Sequence, residues 1–513
     1  MKKLIIYMIL GTTLSGMTLT SCDDLLETKN FTDMSPSNFF RTEGDMDAAV
    51  TGIYLPCTTN WGYGDGGTGG WYNALFNADI NAYYPAGMVT TDMVRHYASH
   101  TYDEFNVGPS TGGAIVNTYN VIRFVARATD VINQISNSSG ATEDIRNRFI
   151  AETKTLRAFY MYTLLDWFGP VNVKLDPATL MDNTILPRPS LVEYIGYIEK
   201  DLDEAIATSS FPDKYNSDPD NWGRMSKAVA YALKMKLYMH EKEWAKAKEA
   251  ASQLMQMGYS IISEYEDLFN KDCTAEHIWS IPSNSASDNF YVTEVLPSDF
   301  KRGYNHLGNS YIRGNNDTYF SGWQVFCMRW DFYDTFADND VRKKAILCEY
   351  DANDGSNKDR NSGMVGAIPI KFTDTQFANY GIQKAQPVIR YAEVLLSYAE
   401  AENELNGPTT SAVDAVKLIT DRAGVTIPAS ATSTKEAFRT YLLEERGREL
   451  FCEGQRRQDL IRHGVYISRA RARGNNAQDY QVLFPIPQVA ITEAGGILEQ
   501  NLGYTCLLYT SPS

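Results

Sequence analysis

The stretch that decides the fold is SKAVAYALKMKLYMHEKEWAKAKEAASQLMQMG, residues 226–258. It predicts two helices, Ser226 to about His240 and Lys242 to about Met257, and Gly258 stands where a helix usually stops. Alanines recur along both helices, at positions 228, 230, 232, 245, 247, 250 and 251. Because alanine side chains are small, two antiparallel helices can approach closely, and we expect Trp244 to fill the corner between them.

This arrangement of helix, short turn and helix resembles a tetratricopeptide unit. Upstream, the pattern is helical from about residue 115. Ser190 and Glu193 form a predicted capping box, and an apolar stripe follows at spacings of three and four. The stripe consists of Leu191, Ile195, Ile198, Leu202 and Ala205. It must face another helix, so paired helices are expected here as well.

A second helical block is predicted from Val388 to Gly464. Its first helix has a stripe of Tyr391, Leu395, Tyr398 and Ala399 and stops at Asn406-Gly407-Pro408. The next helix carries Val413, Val416 and Ile419 and ends before Gly424, and Ser433 with Glu436 is predicted to cap a third. Residues 270–385 lack sustained periodicity. Loops of that length in a compact protein are usually functional.

Composition and charge disfavour some classes of ligand and some kinds of site. The 513 residues are 43% hydrophobic and include 32 Tyr and 8 Trp, a globular composition with many aromatic rings. The net charge is −16, which disfavours broad attraction to nucleic acid or to anionic lipid headgroups. It also favours a neutral ligand over a sulfated one. Five cysteines, Cys57, Cys273, Cys327, Cys348 and Cys452, show no CxxC spacing, so neither a disulfide framework nor a zinc site is predicted.

The N-terminus has the features of a secretion signal. Lys2 and Lys3 precede an apolar run that is too short to span a bilayer. The run ends in Leu19-Thr20-Ser21-Cys22, which resembles a bacterial lipobox in which Cys22 is lipidated, although Thr20 replaces the usual small apolar residue. Acyl chains on Cys22 would anchor the protein without a transmembrane helix. An ordinary signal with an incidental cysteine is the alternative.

Five segments in order resemble the SusD/RagB family of outer-membrane glycan-binding lipoproteins. They are ETKTLRAFY (152–160) with WFGPV (167–171), GRMSK (223–227), IRYAEVLL (389–396) with YAEA (398–401), EERGREL (444–450) with EGQR (453–456) and DL (459–460), and FPIP (484–487) with QNLGY (500–504). The chain departs from the family pattern at Gly447, at Cys452 and at Arg457-Gln458, where an aromatic pair is common.

The resemblance implies a mostly α-helical, SusD-like fold with tetratricopeptide-like helix pairs and a long-loop, aromatic-rich face. It divides the chain into a signal peptide (1–21), one domain (22–504, with an N-terminal part to about 270 and a C-terminal part from about 271) and a probable artefactual tail (505–513). It also implies a role. The protein would capture oligosaccharides at the cell surface for a SusC-like, TonB-dependent outer-membrane transporter, without catalysis.

Aromatic residues outside the helical stripes are the candidate glycan-binding groups. Sugar rings have apolar faces bordered by hydroxyls, so a glycan site needs exposed aromatic rings beside polar groups. Two stretches, residues 60–84 and 304–323, have that mixture. The candidates are Trp61, Tyr63, Trp71, Tyr72, Tyr304, Tyr311, Arg313, Asn315, Tyr319 and Trp323, and Tyr83, Tyr84 and Asn316 lie in the same stretches. For any single ring, burial in the core is the competing interpretation.

By contrast, the aromatic residues on helical stripes are predicted to be core: Tyr160, Trp167, Tyr231, Trp244, Tyr391 and Tyr398.

Other motifs give weaker signals. The charged set Glu444, Glu445, Arg446, Arg448 and Glu449 has helical spacing suited to ion pairs rather than catalysis. Gly62-x-Gly64-x-x-Gly67 lacks the flanking strand and helix of a dinucleotide site. His96 and His100 lack a third metal ligand, so no metal site is predicted.

Three further alternatives stay open. Asp351, Asn353 and Asp354 resemble a calcium loop, but Gly355 comes one position early for an EF-hand. No cofactor is predicted beyond this unproven structural calcium. For the function, the alternatives are a secreted glycoside hydrolase, which would need two carboxyls facing across a sugar, and a lipoprotein scaffold that binds a peptide through its helical repeats.

Overall fold

Helices dominate the structure, a computed structural model that describes residues 39–59, 75–97, 100–283, 289–301, 322–372, 377–378, 381–382 and 384–505. The α-helices in chain order are α1 (Glu43–Ile53), α2 (Tyr83–Val89), α3 (Ala114–Tyr119), α4 (Ile122–Asn137), α5 (Glu143–Phe168), α6 (Leu191–Ala207), α7 (Lys227–His240), α8 (Trp244–Met255), α9 (Asp267–Asn270), α10 (Tyr291–Val295), α11 (Trp330–Tyr333), α12 (Tyr391–Asn406), α13 (Thr410–Ala423), α14 (Lys435–Glu449), α15 (Arg456–Arg462), α16 (Tyr466–Ala472) and α17 (Gln488–Glu493).

The strands are short and pair two by two. In chain order they are β1 (Val94–His96), β2 (His277–Ile281), β3 (Phe326–Met328), β4 (Ile346–Leu347), β5 (Glu349–Asp351), β6 (Asn357–Asp359), β7 (Ile368–Pro369), β8 (Phe377–Ala378), β9 (Gly381–Ile382) and β10 (Gln386–Arg390). The antiparallel pairs are β1 with β3, β2 with β10, β4 with β7, β5 with β6 and β8 with β9. The segment predicted to lack helical periodicity, 270–385, therefore contains most of the strands and only short helices.

The long helices form one continuous array. Each packs on the next from α4 through α5, α6 and α7 to α8, and α8 then packs on α12, which also contacts α13 and α14. The array thus joins the two helical blocks that the sequence predicts, although more than a hundred residues separate α8 from α12. The prediction of a mostly α fold built from helix pairs is confirmed.

The central pair, α7 and α8, follows the prediction closely. Ser226 caps α7 by accepting a hydrogen bond from the backbone N–H of Val229. The second helix begins at Trp244, two residues later than predicted, because Lys242 has a φ of +59° and lies in the turn. Gly258, with a φ of +74°, leaves the pair in the left-handed conformation that favours glycine.

The apolar stripe of α6 lies slightly to one side of its predicted position. Ser190 caps the helix, but the Glu193 carboxylate accepts from the Tyr197 hydroxyl at 2.5 Å, so only half of the predicted capping box forms. Leu191, predicted to face a helix, is 43% exposed. Tyr194 takes its place: its side chain is fully buried and its hydroxyl donates to the carbonyl of Met161 on α5. The tyrosine is preferred because it satisfies a buried acceptor as well as filling space.

The start of α14 corrects another predicted cap. Thr434, not Ser433, accepts the hydrogen bond from the N–H of Ala437 at 3.1 Å. Ser433 instead closes the preceding 3₁₀ turn, and its hydroxyl donates to the carbonyl of Ser430. The sequence contains hydroxyl residues at both positions, and only the preceding turn decides which one has extended backbone.

Replacing Thr434 by Ala should lower the free energy of unfolding by about 1 kcal/mol, the usual value of a helix N-cap. Ser433→Ala is the matched control and should cost less, since the Ser433 hydroxyl bonds only an exposed turn carbonyl. Urea denaturation of the two variants measures the difference. An equal or larger loss in Ser433→Ala would contradict this assignment.

Candidate functional site

A two-stranded ribbon, β1 with β3, carries the first exposed aromatic ring of the candidate site. The register pairs Val94 with Met328 and Arg95 with Cys327. Tyr97 extends the pairing, because its N–H donates to the carbonyl of Val325 at 2.7 Å. Val94 and His96 are buried, whereas Arg95 and Tyr97 lie on the other face and Tyr97 is 53% exposed.

Trp323 presents a second exposed ring just before β3. Its side chain is 39% exposed, and its N–H donates to the carbonyl of Thr293 at 2.8 Å. Val325 donates likewise to the carbonyl of Glu294, so the segment is fixed against α10. At Gly322 a Cβ would lie 1.8 Å from the carbonyl oxygen of Leu296, so only glycine allows this close approach. The backbone therefore holds Trp323 in place while its ring stays accessible.

Three segments outside the described residues precede residues close to α10 in space or in the chain. Segment 60–74 ends at Leu75, segment 284–288 ends at Asn289, and segment 302–321 ends at Gly322; the first and the last contain the predicted aromatic residues. Residues from the first two ends, including Asn77 and Asn289, line one small buried cavity of about 20 Å³ together with Tyr291 of α10. Trp323 is bonded to that same helix. Three loop ends thus meet around α10.

Glu294, on α10, is a buried acid that is mainly uncharged at neutral pH. It lies near Asp79. Burial, reinforced by the Asp79 carboxylate, raises the pKa of Glu294 to about 8. At neutral pH the Glu294 carboxyl is therefore mainly protonated and can donate a hydrogen bond as well as accept one.

Of the ten predicted glycan-binding residues, Trp323 lies within the described residues and is exposed. The others lie outside the described residues: Trp61, Tyr63, Trp71, Tyr72, Tyr304, Tyr311, Arg313, Asn315 and Tyr319. Tyr97 was missed by the sequence analysis. The alternation of apolar and polar residues from Val94 to Tyr97 is the signal that could have found it, since in a strand it places Tyr97 on the face away from the core.

Tyr83 and Tyr84, which share the first aromatic stretch, are interior residues. They open α2, and the Tyr83 hydroxyl donates to Asp166 at 2.8 Å. Burial, followed by the effect of Asp166, raises the pKa of Tyr83 well above its ordinary value. Tyr84 packs on Gly454, where a Cβ would lie 2.4 Å from the ring. The prediction that aromatic residues on helical stripes are core is confirmed, since all six are buried or packed against the core.

The charged residues of α14 form buried ion pairs, as predicted. Arg342 contacts Glu445 at 2.8 Å and Glu449 at 3.2 Å. Arg390 contacts Glu449 at 2.5 Å. Burial alone would raise the pKa of Glu449, but Arg422, Arg390 and Arg342 outweigh it and hold that pKa well below its usual range. Within the described part of the chain, these carboxylates are paired with guanidinium groups.

Two departures from the family pattern also have an ionic cause. At Gly447 a Cβ would lie 2.7 Å from Nη1 of Arg456, which donates at 2.6 Å to the carbonyl of Leu443. Glycine is therefore required for that guanidinium to reach the α14 backbone. Arg457 and Gln458 both bind the carboxylate of Asp166, so the pair replaces aromatic packing by charge.

The weaker metal motifs do not form sites among the described residues. His96 lies in strand β1 rather than on a helix, and burial lowers its pKa to about 4. Asp351 ends β5, and Asn353 and Asp354 lie in the turn before β6, where Asp354 accepts hydrogen bonds from the N–H and hydroxyl of Ser356. No group of three or more His, Cys, Asp or Glu residues that could hold a metal ion occurs in the part of the chain described. The Gly62 motif lies outside the described residues.

Comparison with known sequences shows similarity to one family. The sequence model of the SusD family matches residues 344–504. SusD-like protein P25 of Formosa agariphila is 24% identical, over 94% of this chain and 97% of its own length. The starch-binding protein SusD of Bacteroides thetaiotaomicron is also 24% identical, over 72% of this chain and 75% of its own length.

The C-terminal part of the chain therefore matches the SusD family, and relatives of that name align with most of its length. A solved structure, the surface glycan-binding protein A of Bacteroides thetaiotaomicron in complex with laminarihexaose, shares the fold of this chain. Its TM-score is 0.71 at 21% sequence identity, over 90% of this chain and 99% of the other. The helices described above include none that is both long and apolar enough for a membrane span. Cys22 lies outside the described residues.

Replacing Arg390 by Met should destabilise the protein by about 3–5 kcal/mol, because Glu276, Glu449 and Glu453 would lose a shared buried cation. Arg360→Met is the matched control: its pair with Asp334 is exposed, so the loss should stay below about 1 kcal/mol. Guanidinium chloride denaturation measures both. Similar losses in the two variants would refute the importance of the buried cluster.

Proposed function

We propose that this SusD-like protein binds glycans, without catalysis, on the face that includes the β1–β3 ribbon and the loop ends around α10. The observation that carries the proposal is the two exposed rings next to the β1–β3 ribbon: Tyr97 directly follows β1, and Trp323 lies three residues before β3. Exposed apolar surface that forms a patch marks a binding site. A sugar ring suits such a site, since its apolar face stacks on an aromatic plane.

Polar groups are buried behind this face. Asn77 and Asn289 line the small cavity next to α10, and the mainly protonated carboxyl of Glu294 is buried on that helix. Segment 60–74 ends two residues before Phe76 of the cavity lining, and segment 302–321 ends directly before Gly322 and Trp323. We therefore propose their residues as further glycan contacts. They are Trp61, Tyr63, Trp71 and Tyr72 in the first segment and Tyr304, Tyr311, Arg313, Asn315 and Tyr319 in the second.

The relatives support the ligand class. One relative is named for binding starch, and one protein of the same fold was solved with laminarihexaose. Both ligands are neutral glucose polymers. Several weak ring contacts on one face would bind a long glycan tightly enough for capture, because each contact raises the effective concentration of the next.

We further propose that the protein is a lipoprotein of the outer membrane, exposed at the cell surface and anchored through Cys22. It would deliver oligosaccharides to a SusC-like, TonB-dependent transporter. The lipobox-like sequence before Cys22 supports the anchor, and similarity to the SusD family supports the transporter as partner. The domain would comprise residues 22–504, with 505–513 as a tail outside it.

Replacing Trp323 by Ala should weaken glycan binding by about three- to tenfold, the value of losing one stacked ring of about 0.5–1.5 kcal/mol. Tyr97→Ala should act in the same direction. Leu418→Ala, which removes an exposed apolar side chain on α13, is the control and should bind as wild type. Affinity gels against a polysaccharide panel, followed by calorimetry on the retained glycan, give the comparison.

The same panel separates the rival functions. A glycoside hydrolase would release soluble sugars from the polysaccharides, whereas we expect retention without products. A scaffold for a peptide partner would retain none of the polysaccharides. Either result would rule out the proposed function.

Replacing Cys22 by Ser should release the protein from the membrane fraction of the producing cells, because no acyl chain could be attached. Fractionation followed by immunoblotting measures this. Cys57→Ser is the control, since Cys57 is buried in the fold, and should leave the fractionation unchanged. Equal membrane recovery of Cys22→Ser and wild type would contradict lipid anchoring.

A further inference from the structure

A cluster of arginines lies on the β1–β3 ribbon. Arg95 belongs to β1, Arg329 follows β3 directly, and Arg473 follows the C-terminus of α16. All three surround one carboxylate, that of Asp103, and Arg329 forms a salt bridge with it. Within the described residues the group thus brings three cations to one anion.

The arginines leave hydrogen-bond donors unused. Four buried guanidinium nitrogens have no hydrogen-bond partner in the part of the chain that the structure describes: Nε of Arg95, Nε of Arg329, and Nε and Nη1 of Arg473. The Nη2 atom of Arg473 donates to the carbonyl of Thr90 at 3.1 Å. A buried donor without an acceptor is costly, and more so when it carries charge. A ligand that carries a hydrogen-bond acceptor would remove this cost.

The electrostatics point the same way. Burial, and then the neighbouring Arg329, lower the pKa of Arg473 to about 10. The guanidinium is still protonated at neutral pH, so its repulsion from Arg329 persists. In α14, by contrast, Arg446 and Arg448 each meet a carboxylate within 3.2 Å, whereas Arg95 and Arg473 form no salt bridge with a described residue. Excess positive charge at this one place is notable in a chain of net charge −16.

The cluster adjoins the proposed glycan face. Arg95 lies two residues before the exposed ring of Tyr97 and on the same face of the ribbon. Trp323 precedes β3 and Arg329 follows it directly, and both arginines act on Cys327, which lies in β3. A glycan lying on the two rings would pass close to the guanidinium groups.

We propose that Arg95, Arg329 and Arg473 bind an anionic substituent, a sulfate or carboxylate group, on an acidic glycan. This inference rests on the proposed function. Guanidinium groups suit the task because their planar N–H forks match the oxygen geometry of such anions. The local charge overrides the expectation of a neutral ligand that the net charge of the whole chain gives.

The first experiment tests the anion site without a glycan. Millimolar sodium sulfate, compared with sodium chloride at equal ionic strength, should raise the melting temperature of the wild-type protein, because a ligand that binds the folded state stabilises it. Arg473→Gln should abolish that increase and should fold normally, since it removes a cation repelled by Arg329. Arg127→Gln, an exposed arginine on α4, is the control and should keep the increase.

The second experiment uses affinity gels with paired polysaccharides, each sulfated and chemically desulfated. Wild type should prefer the sulfated member of a pair, and Arg473→Gln and Arg95→Gln should lose at least tenfold in affinity for it while binding the desulfated member unchanged. Equal binding of both members, or a sulfate effect that survives in Arg473→Gln, would overturn the inference.

If sulfate stabilises the wild type but no polysaccharide is retained, the proposed function fails and the glycan source of the anion fails with it. If desulfated polysaccharide binds but sulfate has no effect, the proposed function stands and the anion site is refuted.

Discussion

The fold depends on a buried group of charges around Arg390. Its guanidinium contacts Glu276, Glu449 and Glu453, and Lys371 shares the last of these at 2.6 Å. The charges come from the residue before β2, from β10, from α14 and from the segment before β8. A charge taken out of water is tolerated only where opposite charges and hydrogen bonds surround it. Each of these elements is therefore fixed relative to the others, because none can move without leaving a charge unpaired.

This ionic group also explains how two distant helical blocks meet. Arg390 ends β10 and stands directly before α12, the helix on which α8 packs. β10 pairs with β2, so the ion pairs, the small sheet and the helix array share a single junction. Lys371 adds a packing role, since its ammonium group lies 3.8 Å from the centre of the Phe451 ring. Charge and apolar packing thus reinforce each other at the centre of the molecule.

The sequence predicts the helices well where the signal is local. The α7–α8 pair, the end of α13 at Gly424 and the ionic nature of α14 depend on periodicity, glycine and charge spacing over a few residues. The predictions fail where the burial of a side chain depends on a contact with a residue far away in the chain. Tyr84 is buried because Gly454, far along the chain, leaves room for its ring, and no local pattern in the seven residues of α2 announces a helix. Leu191 is exposed because Tyr194 reaches the carbonyl of Met161. The candidate site follows the same rule: the aromatic stretches are visible in the sequence, but the pairing of β1 with β3, which joins Tyr97 to Val325, depends on residues far apart in the chain.

The pairing of β1 with β3 bears on the order in which the protein acquires its parts. Roughly 230 residues of chain separate Arg95 from Cys327, so the ribbon closes a very long loop, and contacts of that kind form late in folding. During synthesis the N-terminal helices can pack on one another before β3 has left the ribosome. An incompletely made chain would therefore have a helical core but no ribbon, and a surface that holds ligand would exist only once most of the chain is complete.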